Sequence, residues 1–170
     1  TRNINLIVSK QDDLMDCQVK WIDIDIDSSI QQCIEELLLL VKEDQNQKRS
    51  FTDLTFLTDN QSVGLKVVEK LRAADKSLKV ADTFKRNEKD RNQKIRKIAF
   101  TKLDATVKAT TIHSFKGWES RMIVILITRA KTQKDLSVIY TGLTRIKQHP
   151  LGSFLTIVNT TERLKNYQDR

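Results

Sequence analysis

The stretch Met122–Ile127 reads MIVILI, six apolar residues in a row. A run of this length without polar alternation is typical of a strand that is covered on both faces of a sheet. Shorter strand-like runs stand at 54–58 and 154–158, with helical spacing in the segments between them. We therefore expect an α/β fold with a mostly parallel central sheet and helices on both of its faces.

Other elements follow from local patterns. Over 19–27 isoleucines alternate with aspartates, which predicts a half-buried strand. Asp27, Ser28 or Ser29 can then cap a helix, which should end near residues 44–46. The remaining predicted strands are 5–8, 54–58, 79–81, 95–100, 107–112, 122–128 and 154–158, and the remaining predicted helices are 62–74, 133–146 and 161–168.

The composition is that of one globular domain. Of the 170 residues 39% are hydrophobic and 31% charged, which suits a single core. No apolar run reaches the ~18 residues that a membrane helix needs, and no signal peptide opens the chain, so we predict no membrane partner. Two cysteines indicate no disulfide framework and favour a cytoplasmic location. Because the chain begins with Thr1, we expect residues 1–170 to be one domain of a longer protein.

Basic residues are concentrated in the later part of the chain. The net charge is +8, made of −6 up to residue 44 and +14 beyond it. A basic half fits a polyanionic partner such as nucleic acid or a nucleotide, although surface solubility explains the charge equally well. The segment 85–102 carries eight basic and two acidic residues. It could follow a nucleic-acid backbone, but a solvated face is the simpler interpretation.

No metal site is predicted. Asp23, Asp25 and Asp27 would share one face of a strand, but the turn glycine and distal glutamate of a calcium loop are missing, so a polar outer face is expected. His113 and His149 are far apart and neither cysteine is close to them in sequence. Zinc-ligand spacing is therefore absent.

Polar residues gather at 111–119, which read TIHSFKGWE. Residues 113–119 directly follow a predicted strand, and in parallel sheets ligands bind beyond the carboxyl ends of the strands, so we expect these residues there. Gly117 lets a ligand approach the backbone, Glu119 could accept a hydrogen bond from a ribose hydroxyl, and Lys116 could face a phosphate. A surface turn with ordinary charges explains the same residues equally well.

His113 and Ser114 stand at the predicted exit of that strand. A neutral histidine there can donate to a phosphate or stack on a base. A lone histidine is more often a satisfied structural residue. The position alone therefore leaves both interpretations open.

Arg145 stands near the carboxyl end of the predicted helix 133–146. An arginine aimed at a nucleotide could stabilise charge on a transferring phosphoryl group. An arginine at a helix C-terminus also interacts with the helix macrodipole, worth about 0.3–1 kcal/mol, and locally this is the simpler explanation. The predicted buried stripe of this helix is Leu136, Ile139, Tyr140 and Leu143.

Two features of nucleotide triphosphatases are missing from the sequence. It contains no Gly-x-x-x-x-Gly-Lys-Ser/Thr phosphate loop, and no apolar strand ends in an Asp-Glu pair that could hold magnesium. We therefore expect that this chain alone does not cradle the phosphates of a nucleoside triphosphate.

Residues 111–119 resemble the fifth motif of superfamily 1 helicases of the UvrD/Rep kind, which commonly runs Thr-φ-His-x-x-Lys-Gly-Leu-Glu (φ apolar) before an apolar strand. Residues 140–147, YTGLTRIK, resemble the sixth motif, Tyr-Val-Ala/Gly-φ-Thr-Arg-Ala. The order of the motifs, their separation and the strand between them agree as well. Trp118 departs from the usual Leu, Asp59 stands where that family often has an Arg, and the large inserted subdomain of many members has no room here.

The resemblance implies a RecA-like three-layer sandwich, the second and C-terminal motor domain of an ATP-dependent DNA helicase. Such enzymes bind ATP and Mg²⁺ between two RecA-like domains, so the N-terminal ATP-binding domain of the same polypeptide would be the partner of this chain. Arg145 would be the catalytic arginine finger, and Glu119 with the backbone of Gly117 would contact the nucleotide. Lacking the partner domain, this chain alone is expected to be inactive and to bind no cofactor.

The resemblance also implies a groove for single-stranded DNA, with RNA as the alternative. Thr111, His113 and Ser114 would contact the strand, and Lys116 would contact it and couple it to the nucleotide site. Two other readings of the chain stay open. It could be a non-catalytic nucleic-acid-binding module with a degenerate helicase fold, or an α/β regulatory or scaffold domain whose motifs match by chance.

Overall fold

The central feature of the fold is a twisted sheet of mainly parallel strands. The computed structural model describes residues 2–5, 17–46, 54–85, 100, 107–150 and 152–167. Within them the strands run in the order β1-β2-β7-β6-β3-β5-β4; β1 pairs antiparallel with β2, and all other pairs are parallel. The strands are β1 Arg2–Asn5, β2 Cys17–Asp23, β3 Leu54–Thr58, β4 Val80–Asp82, β5 Val107–Thr111, β6 Met122–Ile127 and β7 Ser153–Asn159.

Helices cover both faces of the sheet. Among the described residues, the complete helices are α1 Ile26–Asn46, α2 Gln61–Ala74 and α3 Gln133–Leu143, with short 3-10 turns at His113–Phe115 and Glu162–Leu164. One apolar cluster joins α1 and α2 to the sheet, and a second joins α3 and the 3-10 turn after β5 to the opposite face. The predicted α/β sandwich of three layers is therefore confirmed.

Strand β6 lies at the centre of both apolar clusters. All six of its residues are buried. Its side chains alternate between the two faces, so Met122, Val124 and Leu126 pack toward α1 and α2 while the three isoleucines between them pack toward α3. This two-sided burial is the physical reason for a continuous apolar run, as the sequence predicted.

The predicted strand 19–27 is wrong beyond Asp23. Ile26 already belongs to α1, and the carboxylate of Asp25 accepts a hydrogen bond from the Ser28 amide at 2.9 Å. A capping aspartate satisfies an otherwise unpaired helix amide, and this local bond outweighs the alternating pattern. The aspartates therefore do not form one polar strand face, because Asp27 lies in the first turn of the helix.

Several other element boundaries also differ from the predictions. The predicted helix 161–168 is only one 3-10 turn, after which Asn166 adopts a left-handed φ of 56° and donates its amide to Asp23. Residues 6–8 of the first predicted strand lie outside the described residues. So does the predicted strand 95–100, except for Phe100, which is helical. Among the described residues, no helix has the length and apolarity needed to cross a membrane.

The topology separates the two polar segments. Because β5 and β6 are parallel neighbours of β3, the connection 112–121 must return from the carboxyl edge of the sheet to its amino edge. Helix α3 makes the same return before β7. Thr111 thus marks the carboxyl edge, whereas Ser120 and Arg145 lie beyond the amino ends of the strands.

Candidate functional site

The two motif-like segments meet at the amino edge of the sheet. The amide of Ser120 donates to the carbonyl of Arg145 at 3.0 Å, and the amide of Lys147 donates to the carbonyl of Ser120 at 2.8 Å. Together these bonds form a parallel bridge between Ser120 and Ile146. The backbone of Arg145 is thereby held beside Glu119, the residue before the bridge.

Arg145 is half-buried at the end of α3. Its Nε donates to the carbonyl of Thr141 at 3.2 Å and its Nη2 contacts the hydroxyl of Thr144 at 3.4 Å. No carboxylate of the described residues forms an ion pair with it. The guanidinium therefore rests on the negative end of the helix and keeps donors that a further ligand could use.

Glu119 and Lys116 are both exposed on the returning segment. Between them Gly117 has a φ of 88°, a left-handed conformation that L side chains rarely adopt. No atom lies within 4 Å of the place a Cβ would take, so glycine is required here by the backbone and not by packing. Phe115, which is fully buried, anchors the turn against the sheet.

Trp118 is a packing residue with one exposed side. Its ring meets the edge of Phe100 at a centroid distance of 6.1 Å, and the ammonium of Lys108 lies 5.4 Å from the Trp118 ring and 5.6 Å from Phe100. Lys108 projects from β5 on the face toward α3 and is only 8% exposed. The sequence did not predict this cluster, for which the one local signal is a lysine within a strand-like run.

A cavity of about 300 Å³ lies at the carboxyl edge of the sheet. Thr111 and His113, two of the residues predicted to contact a nucleic-acid strand, line this cavity. Ser114 is tied to this group, because the hydroxyl of Thr111 accepts from the Ser114 amide at 3.2 Å and lies 2.9 Å from its hydroxyl. The full lining is Thr58, Asp59, Thr111, His113, Arg129, Lys134, Asp135 and Val138.

Asp59 holds together the ends of β3 and β6. Its carboxylate accepts from the Thr128 amide and hydroxyl and from the Arg129 amide, at 2.7–3.1 Å. In return, Nη2 of Arg129 donates to the Asp59 carbonyl at 2.6 Å. The carboxylate that replaces the arginine of the resembled family is thus a structural acceptor with its own defined partners.

Asp135 closes the first turn of α3. Thr132 and Asp135 form a reciprocal capping box, in which the carboxylate accepts from the Thr132 amide at 2.8 Å. Hydrogen bonds from the Thr132 amide and hydroxyl, with a smaller contribution from the charge of Arg129, hold the pKa of Asp135 below its ordinary value. The carboxylate is therefore ionised at neutral pH, and one of its two oxygens is engaged by Thr132.

Tyr140 corrects a prediction about α3. The expected buried stripe included it, but its side chain is 69% exposed, whereas Ile139 is buried. Leu136 and Leu143 pack at the edge of the same apolar cluster. An eleven-residue helix on the outside of a sheet needs only this narrower stripe.

The predicted site residues thus form two groups. Thr111, His113 and Ser114 lie at the carboxyl edge, while Glu119 and Arg145 lie at the amino edge. Since Thr111 is level with Leu126 and Ser120 comes six residues earlier, the edges are about 20 Å apart at roughly 3.3 Å per residue. The expectation that 113–119 lies as a whole beyond the carboxyl ends is right for His113 and wrong for Glu119. Lys116 and Gly117 lie on the segment that joins the two edges.

Metal ligands do not gather anywhere in the described residues: no three His, Cys, Asp or Glu side chains are grouped so that they could hold an ion. The carboxylate of Asp23, which began the predicted acidic face, instead accepts from Trp21, Asn159 and Asn166. These partners occupy it without a cation.

Comparison with known proteins gives relatives by structure only. No protein-family model and no curated protein matches the chain. The C-terminal domain of a possible DNA helicase from Lactobacillus plantarum WCFS1 has a TM-score of 0.51 at 12% identity, covering 83% of this chain and 71% of that one. Domain 2 of the DEAD-box helicase Mss116p, solved bound to an RNA duplex, has a TM-score of 0.57 at 10% identity, covering 82% and 53%. At such identities the likeness is one of fold: the chain has the α/β RecA-like fold of C-terminal helicase domains.

Proposed function

We propose that the chain is the C-terminal motor domain of an ATP-dependent helicase or translocase of superfamily 1, of the UvrD/Rep kind. Its nucleic-acid partner would be single-stranded DNA, with RNA as the alternative. Its protein partner would be an N-terminal RecA-like domain of the same polypeptide, acting in the cytoplasm. The fold agrees with this proposal, and the motif resemblance gives it its detail.

The backbone bridge between Ser120 and Ile146 is the observation on which the proposal depends. Two segments with the residue patterns of two different helicase motifs are far apart in sequence, yet this bridge brings Glu119 and Arg145 to the same edge. The parallel pairing of β6 and β7 places the segments before them at this edge, and the bridge sets the backbone of Glu119 beside that of Arg145. A shared site for one ligand explains why both segments are polar at this point.

The amino edge would be the nucleotide side of the domain. Arg145 would leave the end of α3 and donate to the γ-phosphate held by the partner domain, where an arginine finger accelerates transfer by about 10³–10⁵. Glu119 would accept from a sugar hydroxyl, and the backbone at Gly117 would allow close approach. Mg²⁺ would neutralise the charge of the phosphates, and residues of the N-terminal domain would hold the ion.

The carboxyl edge would be the side of the domain that binds the nucleic-acid strand. Thr111, His113 and Ser114 would contact the nucleic acid there, with the cavity beside them. The segment 112–121 joins this edge covalently to the nucleotide edge, and Lys116 lies along it. Closure of the two domains on ATP would therefore move the strand contacts as one body with Arg145, and hydrolysis would release them.

ATP hydrolysis by the longer polypeptide and by residues 1–170 alone tests the proposal. We expect the longer protein to hydrolyse ATP faster when single-stranded DNA is added, since both edges are then occupied. Residues 1–170 alone should hydrolyse none, because no phosphate loop exists in this sequence. ATP hydrolysis by the isolated chain would contradict the proposal. So would a longer protein whose rate of ATP hydrolysis is the same with and without single-stranded DNA.

One observation favours a second candidate, a nucleic-acid-binding module without catalysis. Arg145 is already engaged with Thr141 at the end of its helix, as a purely structural arginine would be. The same experiment separates the two functions. Strand binding without any ATP hydrolysis in the longer protein would support the binding module.

A further inference from the structure

Two cations in the wall of the carboxyl-edge cavity belong to neither of the motif-like segments. Arg129 follows β6 by two residues, and Lys134 lies in the first turn of α3. Both side chains are exposed at the cavity. They face the same space as Thr111 and His113, which the proposed function assigns to the strand.

The formal charges of the cavity nearly cancel, but its hydrogen-bond capacity does not. Both carboxylates are occupied: Asp59 by the Thr128 and Arg129 amides and a hydroxyl, and Asp135 by Thr132. Lys134 makes no side-chain hydrogen bond or ion pair with any described residue. The four hydrogen bonds to Asp59 fill both of its carboxylate oxygens, those to Asp135 fill one of its two, and Arg129 and Lys134 keep donors that can bind an anion.

Arg129 is held in place for such a role. Its amide donates to the Asp59 carboxylate at 2.7 Å and its Nη2 to the Asp59 carbonyl at 2.6 Å, so that both its backbone and its side chain are fixed by one residue. A guanidinium fixed on one side can still present its remaining donors in a fork to two oxygens of a phosphate. The orientation costs less entropy than it would for a free side chain.

The geometry favours a phosphodiester over a free small ligand. About 300 Å³ is at the low end of the range of small-molecule pockets, and most of the lining residues lie at the protein surface. A continuous strand can enter such an open cavity with one phosphate while its neighbours stay outside. The exposed ring of His113 lies beside that phosphate.

We infer that Arg129 and Lys134 bind the phosphate backbone of the strand in this cavity, with Asp59 as the positioning residue of Arg129. The inference rests on the proposed function. Arg129 and Lys134 would make the contact with the nucleic-acid strand that the resembled family makes with an arginine at the position of Asp59. It assigns the contact to the loop after β6 and the start of α3. Arg129 is then a contact residue, and Asp59 acts only through it.

Salt-dependent binding of a fluorescent sixteen-nucleotide oligo(dT) to the full chain tests this inference. Each phosphate contact on a single strand contributes about 0.7 to the slope of log affinity against log salt. Arg129→Gln combined with Lys134→Gln should therefore flatten the slope by about 1.4, which is roughly 25-fold in affinity over one decade of salt. Lys131→Gln removes one charge from the same exposed loop without changing the lining of the cavity, and it should leave the slope unchanged.

The outcomes separate this inference from the proposed function. A flattened slope in the double variant with an unchanged Lys131→Gln slope supports it. Equal slopes in all three proteins, an equal loss in the control, or no binding by the unmodified chain would overturn it. A further result would also overturn it: inorganic triphosphate displaces the oligonucleotide, and its own affinity, measured without oligonucleotide, depends on Arg129. None of these results bears on ATP hydrolysis by the longer protein. Circular dichroism spectra of the variants should match that of the unmodified chain, since the substituted side chains are exposed.

Discussion

Asp23 connects three distant parts of the chain. Its carboxylate accepts from Trp21 Nε1 at 2.9 Å, from Asn159 Nδ2 at 2.7 Å and from the Asn166 amide at 2.9 Å. Burial alone would raise the pKa of this carboxyl, but the three hydrogen bonds together hold it below its ordinary value. The ends of β2 and β7 and the C-terminal turn are therefore joined through one ionised group.

This network predicts acid sensitivity. Because the pKa of Asp23 is lower in the folded state, the unfolded chain binds more protons just below its own pKa of about 3.9. The stabilisation is complete above that pH and is lost as the pH falls through the folded pKa. Asp23→Asn should lower the free energy of unfolding at pH 7, and its difference from the unmodified chain should shrink on acidification. Urea unfolding from pH 7 to pH 3 measures this, with the exposed Asp27→Asn as the control; a difference independent of pH would refute it.

The sequence shows that Asp59 and Trp118 are unusual residues, but it does not predict what their side chains contact. Both were recognised as departures from the resembled family. Asp59 accepts hydrogen bonds from Thr128, and the Trp118 ring packs on Phe100, only because the folded sheet brings these residues together. Such long-range partners leave no local pattern in a single sequence.

At the scale of elements, α2 contains a glycine that its packing requires. A Cβ on Gly64 would lie 2.4 Å from the Phe84 ring and 2.8 Å from a methyl carbon of Thr58. Phe84 is fully buried and has no room to swing aside. A glycine within a helix lowers helix stability by about 1 kcal/mol relative to alanine. At this position it also allows the helix to approach the sheet closely.

Gly64→Ala should therefore destabilise the protein. We expect a loss of about 1–3 kcal/mol in the free energy of unfolding, the usual cost of overpacking a core, despite the better helix propensity of alanine. Chemical unfolding gives the value directly. Combining the change with Phe84→Leu should recover part of the loss, and a Gly64→Ala protein as stable as the unmodified one would show that the close approach is not real.

Elements with a strong local signal were predicted well. β6 was recognised by its apolar run and α3 by its spacing, and their bounds differ from prediction by one residue at the end of β6 and by three at the end of α3. The start of α1 and the last helix were wrong because single hydrogen bonds, from Ser28 to Asp25 and from Asn166 to Asp23, decide them. Sequence patterns average over several residues and do not resolve such single contacts.

At the scale of the whole molecule, the sheet separates the two edges that carry the predicted site residues by about 20 Å of strand, at roughly 3.3 Å per residue. The sequence predicted the residues of both edges but placed Glu119 with His113, because adjacency in the chain suggested adjacency in space. Strand topology decides otherwise, since β5 and β6 run in the same direction. The returning segment is what allows one motif-like stretch to contribute to two sites.

The loss of Arg145 tests the account most directly. In the proposed longer protein with two RecA-like domains, Arg145→Ala should lower the rate of ATP hydrolysis by about 10³ or more. Single-strand affinity should stay within about twofold, because only the proposed nucleotide edge is altered. Lys147→Ala, which removes an exposed charge two residues away, should leave the hydrolysis rate nearly unchanged. Arg145→Ala protein that hydrolyses ATP at the unmodified rate would contradict the assignment of this arginine and, with it, the motor function.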